Sequence, residues 1–187
     1  MTSGRPTRTV VVAAASRHGS TEEVAARLVA TLTERLSDEW VVARADPTDT
    51  DGFADADAVV LGSAIYFGRW LRPATQALAW LRDHPPRRIW LFSTGPVAGD
   101  EAEIAAETSA DALADLAEGD EHMVFGGRLD PAELGPVERL VVRAVKARPG
   151  DHRDWSAVDR WAVHIADELE PHVVPSSNTR AGSGGSS

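Results

Sequence analysis

Near-continuous apolar runs recur along this chain, and the stretches between them place their apolar residues three or four apart. The runs are Thr9–Ala15, Trp40–Ala45, Ala58–Leu61, Arg88–Phe92 and His122–Gly126. Four of the five lack strict polar alternation, the mark of strands covered on both faces of a parallel sheet. The run at Trp40 is more polar and suits a sheet edge. Among the intervening stretches, Thr21–Leu36 sets Val24, Leu28, Leu32 and Leu36 four apart, with Arg27, Glu34 and Arg35 off that stripe. Leu71–Asp83 carries Leu71, Leu78, Trp80 and Leu81 and is stopped by Pro85 and Pro86. Glu101–Ala117 opens on acids, as helix starts favour, and has Gly119 beyond its end. A last helix runs from about Asp154, a good N-cap, through Val158, Trp161, Ile165 and Leu169 to Pro171.

Strand and helix in repeated alternation predict a doubly wound α/β fold with three layers. Five strands fit a parallel sheet in the order 2-1-3-4-5, with the binding crevice at the carboxyl ends of strands 1 and 3. Residues 1–8 then form an N-terminal extension and 9–171 the domain, while 172–187, Gly- and Ser-rich, form a disordered tail.

Composition narrows the class. The formal charge of −10 excludes a nucleic-acid partner, whose phosphates demand a basic footprint. It suits an acidic surface that docks on basic partners. The chain has no cysteine, so disulfides, iron–sulfur ligation and thiol catalysis are excluded. The opening "MTSGRPTRT" lacks the apolar stretch of a signal peptide, and no apolar run reaches the ~18 residues that span a bilayer, so a cytoplasmic location is expected.

The chemistry should lie in three loops at the strand ends. The first, Ser16, Arg17, His18, Gly19, Ser20 and Thr21, precedes a helix, where unpaired amides and the helix dipole favour an anion. Its hydroxyls and cations add to that, and it has no Walker A lysine and no G-x-G-x-x-G pattern. The plainer alternative is a helix capped by Ser20 or Thr21. The second, within Gly62–Trp70, sets Ser63, Ala64, Ile65, Tyr66, Phe67 and Gly68 where aromatics invite a flat partner; packing of Tyr66 and Phe67 on the next helix is the alternative. The third spans Ser93–Asp100, and Ser93, Thr94, Gly95, Pro96 and Gly99 let backbone groups approach a ring edge, unless they form a simple turn. A monophosphate pocket, an aromatic platform and a backbone rim in one crevice suit flavin mononucleotide, FMN.

At these residues the chain resembles the flavodoxin superfamily. Members carry [ST]-x-[ST]-G-x-T after strand 1, which Ser16–Thr21 match except for His18 at the third place. Tyr66 stands where many members have tryptophan. The stretch "DADAVVLGSAIYFGRW" is similar to the menaquinone-dependent protoporphyrinogen dehydrogenases, which carry G-[AS]-[AS]-I-x-[YF]-G after strand 3, and "GDHRDWSAVDRWA" resembles their approach to the last helix. The resemblance covers about Thr9 to Leu169 and implies a flavodoxin-like three-layer sandwich that binds FMN. It further implies electron or hydride transfer through the flavin, with a porphyrinogen oxidised and a quinone as acceptor. A non-enzymatic electron carrier that docks on a redox partner protein is the alternative, and a flavin-free interaction scaffold the third. The acidic charge is expected to disfavour anionic reduced flavin. No side chain stands out as a catalytic acid or base.

One segment separates enzyme from carrier. Residues 134–148 place Leu134, Val137, Leu140, Val141, Val142 and Val145 on a helical stripe, with Arg139, Arg143, Lys146 and Arg148 against Glu138. A basic amphipathic helix could lie peripherally on the inner face of a membrane or approach a quinone, or it could cover the sheet edge with its cations in water. The six histidines show no metal-ligand spacing, so no metal site is expected. The acids Asp46, Asp49, Asp51, Asp55 and Asp57 read as a solvated loop, and Trp70 is the one tryptophan placed at the flavin site.

Overall fold

The computed structural model describes residues 7–66, 68–95, 122–130, 132, 135 and 150–170. Five parallel strands form its centre: β1 (Arg8–Ala15), β2 (Trp40–Ala45), β3 (Ala58–Tyr66), β5 (Arg88–Gly95) and β6 (His122–Gly126). Their order is β2-β1-β3-β5-β6, which is 2-1-3-4-5 when these five are counted in sequence. The two-residue strand β4 (Arg69–Trp70) folds back antiparallel on the end of β3. A separate ribbon pairs β7 (Arg128–Leu129) with β8 (Gly150–Asp151).

Among the described residues, three α-helices cover the two faces. Helices α1 (Ser20–Arg35) and α3 (Trp155–Leu169) pack on one side, and α2 (Arg72–Asp83) on the other. Strand alternation feeds both cores at once: Val10, Val12 and Ala14 join Leu28, Leu32, Phe92, Trp161 and Ile165, whereas Val11, Ala13 and Ala15 join Leu61, Leu78 and Leu81. Each buried Val, Leu, Ile or Phe side chain contributes ~1.5–3 kcal/mol, so a slip of one residue in β1 would set both layers wrong. Across the helical layer, Arg27 donates two bonds to Asp159, at 2.6 and 2.7 Å, and ties α1 to α3.

Helix starts differ in how they are closed. The Asp154 carboxylate caps α3 by accepting from the Ala157 N–H at 3.1 Å, as its sequence position predicts. Helix α2 begins with Pro73 in its first turn. Helix α1 has Gly19 at its N-cap in the left-handed conformation (φ 79°) and no side-chain cap at all.

Two expected boundaries are corrected. β3 continues from Leu61 to Tyr66, and β5 continues from Phe92 to Gly95, so much of the second and third loops is strand. The cause is pairing: Gly62, Ser63 and Ala64 lie in register with Phe92, Ser93 and Thr94. A Cβ on Gly62 would overlap the Phe92 ring, so only glycine lets that ring lie across β3. The expected helix Glu101–Ala117, the basic segment 134–148 apart from Gly135, and the extension and tail at 1–6 and 171–187 lie outside the described residues.

Candidate functional site

The first loop sits at the carboxyl end of β1. The first helical bond of α1 runs from the Glu23 N–H to the Gly19 carbonyl at 3.0 Å. The amides of Ser20, Thr21 and Glu22 therefore precede the helical ladder and project from its start. With glycine at the cap, the plainer reading of Ser20 or Thr21 as N-cap is set aside. Among the described residues beyond its chain neighbours, no atom lies within 4 Å of the point where a Gly19 Cβ would be. From Ser16 to Thr21 the loop holds hydroxyl donors, Arg17 and His18 and no carboxylate.

The hydroxyls of that loop divide their work. Thr21 is fully buried, and its Oγ1 lies 2.7 Å from Thr94 Oγ1 on β5. Ser20 Oγ accepts from the Arg128 N–H at 3.0 Å. Thr21 thus ties α1 to the sheet and Ser20 ties it to the β7–β8 ribbon, so both hydroxyls are engaged within the fold. Ser16, His18 and Gly19 are half-buried and Arg17 is exposed.

The acids that follow are engaged by cations. Glu22 pairs with Arg44, and Glu23 meets Arg153 at 2.5 Å and Arg128 at 3.6 Å. Arg153 is the centre of this group: its side chain is 4% exposed, it bonds Asp151 at 2.6 and 2.8 Å, and it stacks 4.5 Å from the Trp155 ring centroid. Hydrogen bonds from Arg153 hold the Asp151 carboxyl at about 2, below its ordinary value. The pair is present above the ordinary aspartate value and is lost as pH falls toward 2. The ion pairs thus fasten both strands of the β7–β8 ribbon to the first turn of α1.

The second loop is a hairpin. Ile65 opposes Trp70 and Tyr66 opposes Arg69, and Gly68, between the two strands, has φ 71°; Phe67 lies outside the described residues. That positive φ is what requires glycine there. Trp70 is corrected from its expected place at the flavin site: it turns inward, 8% exposed, and its indole N–H donates to Ser93 Oγ at 2.7 Å. Ser63, fully buried, accepts from the Leu71 N–H and donates to the Ala64 carbonyl, both at 2.9 Å. Ala64 and Tyr66 are half-buried at the rim, and Ile65 packs into the α2 layer.

The third loop's hydroxyls face the core. Ser93 accepts from Trp70 and lies 2.7 Å from His122 Nε2, while Thr94 meets Thr21. Burial holds His122 below its ordinary value. With Trp70 donating to it, the Ser93 hydroxyl has its own proton to give to a neutral His122. Gly95 ends the strand, and its carbonyl accepts from the Gly127 N–H at 2.7 Å. Pro96 and Gly99 lie outside the described residues.

The first and second loops meet through Arg17 and Tyr66. The Arg17 guanidinium stands over the Tyr66 ring, 4.6 Å from its centroid, joining the end of β1 to the tip of the β3–β4 hairpin. Arg69 and Arg128 were not singled out by sequence pattern. The signal for Arg69 was its hairpin register, which sets it opposite Tyr66; Arg128 follows a glycine pair and carries no local signal.

This arrangement fits FMN by the chemistry of its donors: an uncapped helix start at Gly19 for an anion, and a half-buried aromatic one contact away for a ring. Comparison with known proteins bears on the family and the fold. Residues 11–156 match the flavodoxin domain family. No curated protein matches the sequence. Among solved structures, the rubredoxin oxygen oxidoreductase of Desulfovibrio gigas is similar at 18% identity and TM-score 0.58, over 88% of this chain and 37% of that one. Flavodoxin 2 from Bacillus cereus is similar at 16% identity and TM-score 0.57, over 86% of this chain and 99% of that one. A flavodoxin from Streptococcus pneumonia TIGR4 gives 17% and 0.57, over 86% and 99%. At these identities the likeness is one of fold.

Proposed function

This chain belongs to the flavodoxin domain family, and we propose that it binds FMN non-covalently and exchanges electrons or hydride through it. The observation that carries the reading is the start of α1, left without a side-chain cap at Gly19, beside a loop of hydroxyl donors, Arg17 and His18. A phosphate ester would be held by the amides of Ser20, Thr21 and Glu22, with Ser16, Arg17 and His18 beside it. The ring belongs at the hairpin, Ser63 to Gly68 with Tyr66 and Phe67. Its polar edge belongs at Ser93 to Gly95, with Pro96 and Gly99, through backbone groups, since the Ser93 and Thr94 hydroxyls are already bonded. When bound, the flavin supplies the redox chemistry, and the protein supplies binding, orientation and electrostatics.

Within the family we assign the chain to the protoporphyrinogen-oxidising, quinone-reducing subgroup. The support is the stretch "GSAIYFG" at the hairpin and "GDHRDWSAVDRWA" at the start of α3. The electron-carrier reading is supported by the likeness in fold to flavodoxin 2 from Bacillus cereus, 99% of which is covered. No helix among the described residues is long and apolar enough to cross a membrane. The basic segment 134–148 is our proposed place for peripheral membrane contact, in a cytoplasmic protein.

The test is direct. Purified protein should be yellow or should quench added FMN fluorescence in proportion to its concentration. A colourless chain that leaves FMN fluorescence unchanged contradicts both redox readings. Turnover in a quinone-coupled porphyrinogen assay then assigns the enzyme; none, with fast electron exchange to a redox protein, assigns the carrier.

A further inference from the structure

The first turn of α1 carries two acids, Glu22 and Glu23, and begins at Gly19 without a side-chain cap. Acids stabilise a helix start, but helix ends fray, and glycine at the cap gives the backbone freedom to do so. Other side chains hold this turn. Thr21 Oγ1 meets Thr94 Oγ1 on β5 at 2.7 Å, and Ser20 Oγ accepts from the Arg128 N–H on β7 at 3.0 Å. The Glu23 carboxylate accepts from Arg153, just beyond β8, at 2.5 Å. Ser20 and Glu23 stand three apart, on one face of the helix, so the β7–β8 ribbon and the residues that follow it grip that face at two points.

Arg153 is the stiffest part of this grip. Exposed ion pairs contribute little, in part because two long side chains lose their freedom in forming one. Arg153 has lost that freedom already. Its side chain is 4% exposed, its guanidinium bonds Asp151 at 2.6 and 2.8 Å, and its Cζ stands 4.5 Å over the Trp155 ring centroid. Glu23, about half exposed, closes on a fork that is fixed beforehand. A helical turn rises ~5.4 Å, so Glu23 lies within one turn of the amides of Ser20, Thr21 and Glu22.

A ligand binds more tightly when the groups that receive it are already held in the geometry it needs. We propose that Arg153 is a positioning residue for the flavin phosphate: through Glu23 it holds the first turn of α1, and with it those three amides, in one geometry. The proposal rests on the FMN reading above.

The test reads the ratio of FMN to riboflavin affinity by fluorescence quenching. Arg153→Gln should lower that ratio about threefold or more. Glu23→Ala, at an exposed position, should lower it likewise, although it removes a negative charge near the phosphate. Arg27→Gln, which cuts the tie from α1 to Asp159 one turn further along, should reduce stability in urea and leave the ratio unchanged. In the flavin-free chain, amide exchange followed by NMR should quicken about threefold or more at Glu23 and Val24 relative to Leu28 in Arg153→Gln, and not in Arg27→Gln. A ratio unmoved by Arg153→Gln, raised by Glu23→Ala, or lowered as much by Arg27→Gln overturns the proposal, as does unchanged exchange at Glu23 in Arg153→Gln. A native chain with no preference for FMN counts against the proposed function, and the exchange rates then still decide whether Arg153 orders the turn.

Discussion

Thr21 Oγ1 and Thr94 Oγ1 stand 2.7 Å apart in a buried pair that joins the first turn of α1 to the end of β5. Each hydroxyl satisfies the other, and neither has water to fall back on. Thr21→Val should therefore cost about 1–3 kcal/mol in urea unfolding, because it strands the Thr94 hydroxyl, and Thr94→Val should do the same. The double valine variant should recover most of that loss. Losses that simply add in the double variant would show that the pair does not bond.

Gly62 tests the packing that extends β3. Its missing Cβ is the space that the Phe92 ring occupies. Gly62→Ala should lower stability by about 1–3 kcal/mol through overpacking. Combining it with Phe92→Leu should restore part of that loss, an interaction that a double-mutant cycle reads directly.

Arg153 holds the ribbon to α1 through Glu23 and Asp151 while its plane lies on Trp155. Its partners are about half exposed, so screening limits what the ion pairs contribute. The packed stem and the stacking add to it. Arg153→Ala should lower the unfolding free energy by about 1–2 kcal/mol, and Arg153→Lys should recover less than half, since lysine offers neither fork nor plane. Full recovery with lysine would reduce the site to a point charge.

His122 gives a pH signature. Burial holds its folded-state value below that of the unfolded chain, so the unfolded state binds the proton first. Its contribution is whole above the ordinary histidine value of 6.5 and is lost as pH falls below it. Between pH 7.5 and 5.5 the urea midpoint should fall further for the native chain than for His122→Gln. Parallel curves would remove His122 from that balance.

The fold was legible where one residue's neighbours in sequence are also its neighbours in space. Val10–Ala15 and Trp40–Ala45 read as strands from their own composition, and Asp154 announced the helix that begins at the next residue. The ends of β3 and β5 were not legible, because Ser63, Ser93 and Thr94 resemble loop residues until their partners are known. Those partners are Leu71, Trp70 with His122, and Thr21, at separations of 8, 23, 29 and 73 positions. No local window carries such information. The phosphate loop stood out for its donors, yet two of its hydroxyls serve the fold, and its lack of a side-chain cap appears only in the backbone. Arg69 became visible through strand register, and Arg153 through an acid 130 positions away.

The central claim is that the open start of α1 at Gly19 holds a phosphate ester. The most direct measurement compares FMN and riboflavin binding, by fluorescence quenching, to the native chain and to Gly19→Ala. That substitution meets no atom of the described residues and adds the strain of φ 79°, about 1 kcal/mol. FMN should bind the native chain at least tenfold tighter than riboflavin, and Gly19→Ala should lower FMN affinity far more than riboflavin affinity. Equal affinities for the two ligands, or equal losses in the variant, would contradict it.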